Sequence, residues 1–210
     1  MLTVEGKTIG ECWRQAVLRI IHDGRRTWDG DLQLRELLHV TLAIEHPDEN
    51  DPMALRPSQL AMREWMRSNF EHVGRIKELR DSWSYAWRLH SFQGHDQLRW
   101  VVECLTKKPE SKSVTITMLQ AAGTEDYIPC VSLLDFKLRD GVLILTVTCR
   151  SLDFGQKALH NLCSLSHVAR SVCEQLSCKT HRLHVLVISA HVYERDVASL
   201  VSDLEVSPFE

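Results

Sequence analysis

"CVSLLDFKLRDGVLILTVTCR", residues 130–150, reads as two apolar runs around Arg139-Asp140-Gly141. An Asp-Gly pair between alternating hydrophobic runs is a strong short-range hairpin signal, because both turn positions need a positive φ. Cys130 stands at the mouth of the first run, directly after Pro129, in strand phase with Leu134, Phe136 and Leu138. A cysteine on an apolar face is usually small hydrophobic packing; its sulfur can also be a nucleophile. The residues alone leave both open.

Downstream, Ala158, Leu162, Leu165, Val168, Ala169, Val172 and Leu176 recur at helical spacing and predict a long helix over about 156–177. "LHVLVISAHVY" (183–193) then predicts a core strand. Upstream, "SVTITML" (113–119) alternates, and "DQLRWVVECLTKK" (96–108) predicts a helix capped by Asp96. A helix from Gln59 to about His72, capped by Ser58, is expected before it. "LQLRELLHVTLAIEHP" (32–47) places Leu32, Leu34, Leu38, Val40, Leu42 and Ile44 on one strand face. "TIGECWRQAVLRIIHDG" (8–24) opens with Thr8 and Glu11 at capping-box spacing, carries an apolar stripe and stops at Gly24. These elements predict an α+β fold, a mostly antiparallel sheet with helices packed on it. One domain over 1–210 is expected, with the Pro-rich loop 46–58 as an internal break.

The chain has 210 residues and a formal charge of −3, which argues against a general nucleic-acid binder. No apolar run approaches a membrane span, and the N-terminal stretch lacks an apolar signal core. Seven scattered cysteines without CxxC spacing suit reduced thiols, and a cytoplasmic location is expected. No cysteine–histidine spacing suits zinc, so no metal is expected.

Two further features break the pattern. Glu36 lies between Leu34 and Leu38 on an apolar strand face. Bare burial of a carboxylate costs several kcal/mol, so Glu36 is expected to pair with an arginine in the core or reach a wet edge, unless it has a function. Arg150 and Ser151 end a strand, and Asp153 precedes the long helix. A forked cation beside a hydroxyl suits a phosphate, but from these residues alone a surface Arg–Asp pair with a helix cap is the better reading.

Taken together, these residues resemble the thymidylate synthase family, including its pyrimidine nucleotide hydroxymethylases. The family's Pro-Cys nucleophile, Arg-Ser-x-Asp, helical asparagine and His-x-Tyr stand here as Pro129-Cys130, Arg150-Ser151-Leu152-Asp153, Asn161 and His191-Val192-Tyr193. The separations match without a gap: 20 residues from Cys130 to Arg150, 11 to Asn161 and 30 to His191. "RELL" around Glu36 resembles the family's Glu-Leu-Leu, and "YAWR" (85–88) its Tyr-Gly-x-x-Trp-Arg.

The resemblance implies one-carbon transfer from 5,10-methylenetetrahydrofolate to C5 of a pyrimidine nucleoside monophosphate, in a homodimer joined through the sheet. It implies Cys130 as nucleophile attacking C6, with Glu36, Asn161 and Tyr85 as the other catalytic residues. It implies Arg26, Arg150 and Ser151 around the phosphate, with Lys112 lent by a second subunit. His191 and Tyr193 would bind the sugar, and Asn161 would read the base. Asp153 contributes to both ligands, Lys157 to the folate side. The chain departs from the synthases at Val131 for histidine, Asp135 for glutamine, Lys157 for glycine and Lys112-Ser113 for an arginine pair. The segment before Tyr85 is short, and "VSDLEVSPFE" (201–210) lacks an apolar tail. Water reaching a less closed site favours a hydroxymethyl over a methyl product. Asp135 and His160 are candidates for reading a cytosine.

Overall fold

The computed structural model describes residues 2–121, 124 and 127–205. Seven strands form one sheet in the order β1-β3-β9-β8-β7-β6, with β2 paired to β3. The strands are β1 (Leu2–Gly6), β2 (Arg25–Asp29), β3 (Leu32–Ile44), β6 (Thr115–Thr117), β7 (Val131–Arg139), β8 (Val142–Asp153) and β9 (Thr180–Tyr193). Only the β1–β3 and β8–β9 pairings are parallel, so the sheet is mixed with an antiparallel majority. A small ladder, β4 (Arg75–Ile76) with β5 (Ser82–Trp83), stands apart. The helices are α1 (Ile9–Asp23), α2 (Leu60–Glu71), α3 (Tyr85–His90), α4 (Gln97–Lys107), α5 (Ala158–Gln175) and α6 (Glu194–Glu205). The α+β expectation holds.

Local chemistry explains most boundaries. Asp140 and Gly141 take φ of 53° and 79°, as the Asp-Gly turn between β7 and β8 requires. Thr8 caps α1 by accepting from Glu11 N–H at 3.2 Å, and Asp96 caps α4 by accepting from Arg99 N–H at 2.9 Å. Glu11 turns its carboxylate onto Lys7 N–H at 2.8 Å. Gly24 ends α1 in extended conformation; a Cβ there would lie 2.2 Å from the Ile20 carbonyl, so close approach demands the glycine. Ser58 does not cap α2; it sits in a 3₁₀ turn, and the helix starts at Leu60 without a side-chain cap. The sequence pattern also missed β1 and α6.

One irregularity crosses the sheet and shapes everything near Cys130. The β3–β9 ladder pairs Leu38 with Ser189 and Val40 with Val187, skipping the row between. The β8–β9 ladder skips the same row, pairing Cys149 with Val187 and Ser151 with Ser189. The skipped residues are His39, Ile188 and Arg150, and His39 takes φ of 58°. On β7 the register shifts between Val131 and Leu133.

This aligned kink exchanges the two faces. On one side of it Val40, Leu42, Ile44, Val185, Val187, Val147 and Cys149 are buried. Beyond it, Ala190, Val192 and Leu152 are fully buried, and Arg35 donates to the Ile21 carbonyl of α1. Glu36 therefore faces away from α1, as do Leu38, Ser151, Asp153, Ser189 and His191. The expected single face from Leu32 to Ile44 is corrected: Leu32 and Leu38 are exposed because the left-handed His39 turns the strand over. Cys130 likewise lies outside β7, one residue before its start, because the register shift interrupts its phase with Leu134 and Phe136.

A left-handed residue with a Cβ costs roughly 1–2 kcal/mol, more for β-branched side chains. We expect His39→Val to destabilise the protein by about 1–2 kcal/mol relative to His39→Gly. Equilibrium urea unfolding of the two variants measures this; equal stabilities would contradict a kink held at His39.

Candidate functional site

Cys130 is half-buried in a cleft lined by Tyr85, Tyr127, Asn161, Lys157, Trp65 and Trp83 among others. Backbone bonds hold the loop that carries Cys130. Arg150 N–H donates to the Cys130 carbonyl at 2.9 Å. The Arg150 guanidinium donates to the Ile128 carbonyl at 2.6 and 3.2 Å and to the Pro129 carbonyl at 3.2 Å. One side chain thus clamps both residues before the cysteine. Its remaining nitrogen donates to Ser151 Oγ at 3.1 Å, and that hydroxyl lies 3.7 Å from Cys130 Sγ. Arg150, Ser151 and Cys130 form one cluster.

Tyr85 supports the next residue. Its hydroxyl accepts from the buried Val131 N–H at 3.1 Å, and its ring stacks on Phe70 at 4.5 Å. Burial pushes its pKa well up, and the neighbouring Cys130 adds to this. The hydroxyl keeps its proton and can donate into the cleft. Tyr127, on the approach to Cys130, is also pushed up by burial and by the same thiol.

Asn161, in the first turn of α5, is 3% exposed. Its amide nitrogen donates to the Lys157 carbonyl at 3.0 Å, whereas its buried Oδ1 has no partner among the described residues. An orphaned buried acceptor costs about 1–3 kcal/mol. The residue stands in the wall of the cleft beside Cys130.

A second row crosses β3, β9 and β8, pairing Glu36 with His191 and His191 with Asp153. Glu36 is half-buried. Its Oε1 accepts from Ser189 Oγ at 2.5 Å, its one hydrogen-bond partner among the described residues. No described cation lies within ion-pair distance, so the arginine-paired alternative does not hold. Burial raises the Asp153 pKa, opposed by His191 nearby, and Asp153 Oδ1 accepts from Gly155 N–H at 2.9 Å. His191 is 9% exposed and packs edge-on against Tyr193 at 5.3 Å. The Tyr193 hydroxyl donates to Asp29 at 2.7 Å; burial and this bond push its pKa up.

Three expected residues lie elsewhere. Arg26 is paired across β2–β3 with Arg35, on the α1 side of the kink, and its Nε lies 3.3 Å from Glu194. Strand alternation puts Arg25, not Arg26, opposite Glu36 and on the same face. Asp135 accepts from Thr115 and Lys137 on the strand face opposite buried Leu134 and Phe136, remote from the cleft. His160 is buried on α5 and bonds Gln59 at 3.0 Å, away from Cys130.

Lys112 is exposed beyond the start of β6. The ladder continues through Val114 opposite Phe136, placing Lys112 near the hairpin end of β7. At ~3.3 Å per strand residue, that is roughly 20 Å or more from its own Cys130. Lys157 lies in the cleft wall with Nζ 5.7 Å from the Trp65 ring centroid. Trp65, Trp83 and Tyr127 were not foreseen; the first two sit at ordinary core spacing, and only the Pro-Cys that follows Tyr127 pointed towards it. Ser189 was missed because its serine reads as a break in a buried strand. Among the described residues no group of three potential metal ligands converges, and no helix is long and apolar enough to cross a membrane.

Comparison with known proteins yields one family. The profile described as Thymidylate synthase matches residues 22–210. A protein of Methanosarcina barkeri, provisionally named a thymidylate synthase, is 30% identical over 203 residues, covering 92% of this chain and 90% of its own. A similarly named protein of Methanopyrus kandleri is 27% identical over 204 residues, with 95% and 96% covered. The thymidylate synthase of Ascaris suum is 31% identical over 121 residues, 55% of this chain and 40% of its own.

Burial lowers the His160 pKa from 6.5 to about 4. Between those values the unfolded chain takes up a proton that the native state refuses, so stability falls as pH drops from about 6.5 towards 4. At ~1.4 kcal/mol per unit the loss is on the order of 3 kcal/mol. We expect His160→Gln to flatten this part of the stability–pH curve in urea unfolding series.

Proposed function

Because the chain belongs to the thymidylate synthase family, we propose that it transfers a one-carbon unit to C5 of a pyrimidine nucleoside monophosphate through a Cys130 adduct at C6. The observation that carries this reading is the Asn161 carbonyl, unpartnered among the described residues, in the wall of the cleft that holds Cys130. A pyrimidine edge offers the missing N–H donor, and C6 of the same ring then lies towards the sulfur.

The residues divide the work. The Cys130 thiolate adds to C6, and the electron pair moves to C5, which becomes nucleophilic. The Tyr85 hydroxyl and Glu36 stand where protons must be delivered and removed around the base. Arg150 and Ser151 bind the phosphate, with Arg25 as a second cation in the place expected of Arg26. His191 and Tyr193 face the sugar. Asp153, its carboxyl pushed up by burial, reaches the co-substrate side with Lys157. Bound 5,10-methylenetetrahydrofolate supplies the carbon and, for a methyl product, the hydride. The Trp65 and Trp83 walls and the Lys157 cation suit its flat rings and its carboxylates.

The first product reading is a methyl group, in line with the names of the relatives. The second is hydroxymethyl, as expected from the sequence. Of its two grounds, the tail 206–210 lies outside the described residues, and the charged Lys157 remains in the cleft wall. Product mass separates the two by one oxygen, and only methylation generates dihydrofolate. UMP, dUMP, CMP and dCMP are each assayed.

We further propose a homodimer in which Lys112 completes the partner's phosphate site. Its distance from its own Cys130 leaves it no other route to a nucleotide.

Cys130→Ser is expected to abolish turnover without altering unfolding, and a 5-fluoropyrimidine nucleotide with the folate should leave a mass adduct on Cys130. Normal turnover by this variant would sink the reading. Lys112→Ala is expected to weaken nucleotide binding by about 1.5–3 kcal/mol, the value of a charge-assisted contact. Sedimentation should show a dimer; an active monomer of unchanged affinity contradicts the shared site.

A further inference from the structure

We propose that Ser189 is a positioning residue of this site, fixing the Glu36 carboxylate beside the nucleotide. The inference deepens the reading above and rests on it. Ser189 lies one row past the kink on β9, where the exchange of faces turns it from the core side to the site side. Its direct cross-strand partner is Leu38, yet its hydroxyl reaches diagonally to Glu36 Oε1 at 2.5 Å. Among the described residues that hydroxyl is the only group bonding Glu36, and no cation holds the carboxylate in place. One oxygen is therefore tied to the sheet and Oε2 is left free.

A carboxylate that handles protons must present one oxygen repeatedly in the same place. A half-buried glutamate has three side-chain torsions to fix. Residues facing it from neighbouring strands are Arg25 on β2 and His191 on β9, with Asp153 beyond it on β8. None of these bonds the carboxylate, so fixation falls to Ser189. The same row carries Ser151, the Cα partner of Ser189, whose hydroxyl approaches the Cys130 sulfur. One pair of adjacent serines thus registers the base-side carboxylate against the nucleophile.

The test uses a reaction that needs no folate: washout of C5 deuterium from dUMP or UMP into water, which requires thiolate addition at C6, protonation at C5 and reversal. Ser189→Ala should lower the rate at saturating nucleotide by about tenfold or more, as loss of a hydrogen bond to a charged group implies. KM for the nucleotide should stay within about twofold, and Ser189→Thr should recover most of the rate. In a Glu36→Gln background, Ser189→Ala should have no further effect, since residues acting as a unit are non-additive. Wild-type washout by Ser189→Ala, or an equal loss in both backgrounds, overturns the proposal alone, provided that Cys130→Ser is inert. Washout by Cys130→Ser overturns the functional reading and this inference together. Unfolding curves of Ser189→Ala and Ser189→Thr separate a folding defect from a local one.

Discussion

The site depends on the kink that runs through His39, Ile188 and Arg150. A strand with strict two-residue alternation cannot use its Val40–Ile44 face for the core and also turn Glu36 away from α1. A single left-handed residue on β3, matched by skipped rows on β9 and β8, reverses the assignment of faces. On the core side the reversal leaves no gap, because Leu152, Ala190 and Val192 are fully buried beyond it. On the other side it gathers Ser151, Asp153, Ser189, His191 and Glu36 on neighbouring strands. The backbone cost at His39, roughly 1–2 kcal/mol, is modest against the apolar surface buried on both sides of the kink.

Arg150 shows how the kink acts on Cys130. Being in the skipped row, it is free of the regular ladder to β9, and its backbone N–H and guanidinium both turn to the loop before β7. The same side chain would receive a phosphate. Its donors are already spread over two carbonyls and Ser151 Oγ, so an anion arriving there meets a cation held in place and not a mobile surface arginine. Asn161 and Glu36 express the opposite economy. Among the described residues, one is a buried acceptor without a donor and the other a half-buried carboxylate without a cation. Such groups lower stability in the free protein and are the usual mark of a site prepared for a ligand.

How much of this was legible follows from where local rules hold. The β7–β8 hairpin, α1 and α4 were readable because the Asp-Gly turn and the Thr8 and Asp96 caps act within a few residues of sequence. The spacing of Cys130, Arg150, Asn161 and His191 carried the family. The kink was not readable, since its left-handed residue is a histidine and not a glycine, and alternation was carried straight through it. That one omission put Leu32 and Leu38 in the core and hid the partnership of Ser189 with Glu36. That Arg25 and not Arg26 shares a face with Glu36 is a matter of strand phase, which only the pairing with β3 reveals. Asp135 and His160 are near Cys130 and Asn161 in sequence, but alternation and helix phase send them to other faces.

The two halves of the cleft have different supports, and Tyr85 joins them. The half bearing Cys130, Arg150 and Ser151 is fastened by sheet hydrogen bonds. The facing half, with Trp65 on α2 and Trp83 on β5, belongs to short helices and a two-residue ladder outside the main sheet. Tyr85 stacks its ring on Phe70 of α2 and its hydroxyl oxygen accepts from Val131 N–H, while Asn69 of α2 accepts from its backbone N–H at 2.9 Å. A buried N–H next to Cys130 is thus satisfied by the element that carries the opposite wall. Displacing α2 or α3 would strand that donor, at about 1–3 kcal/mol, so the position of the aromatic wall and that of Cys130 are tied to one hydrogen bond.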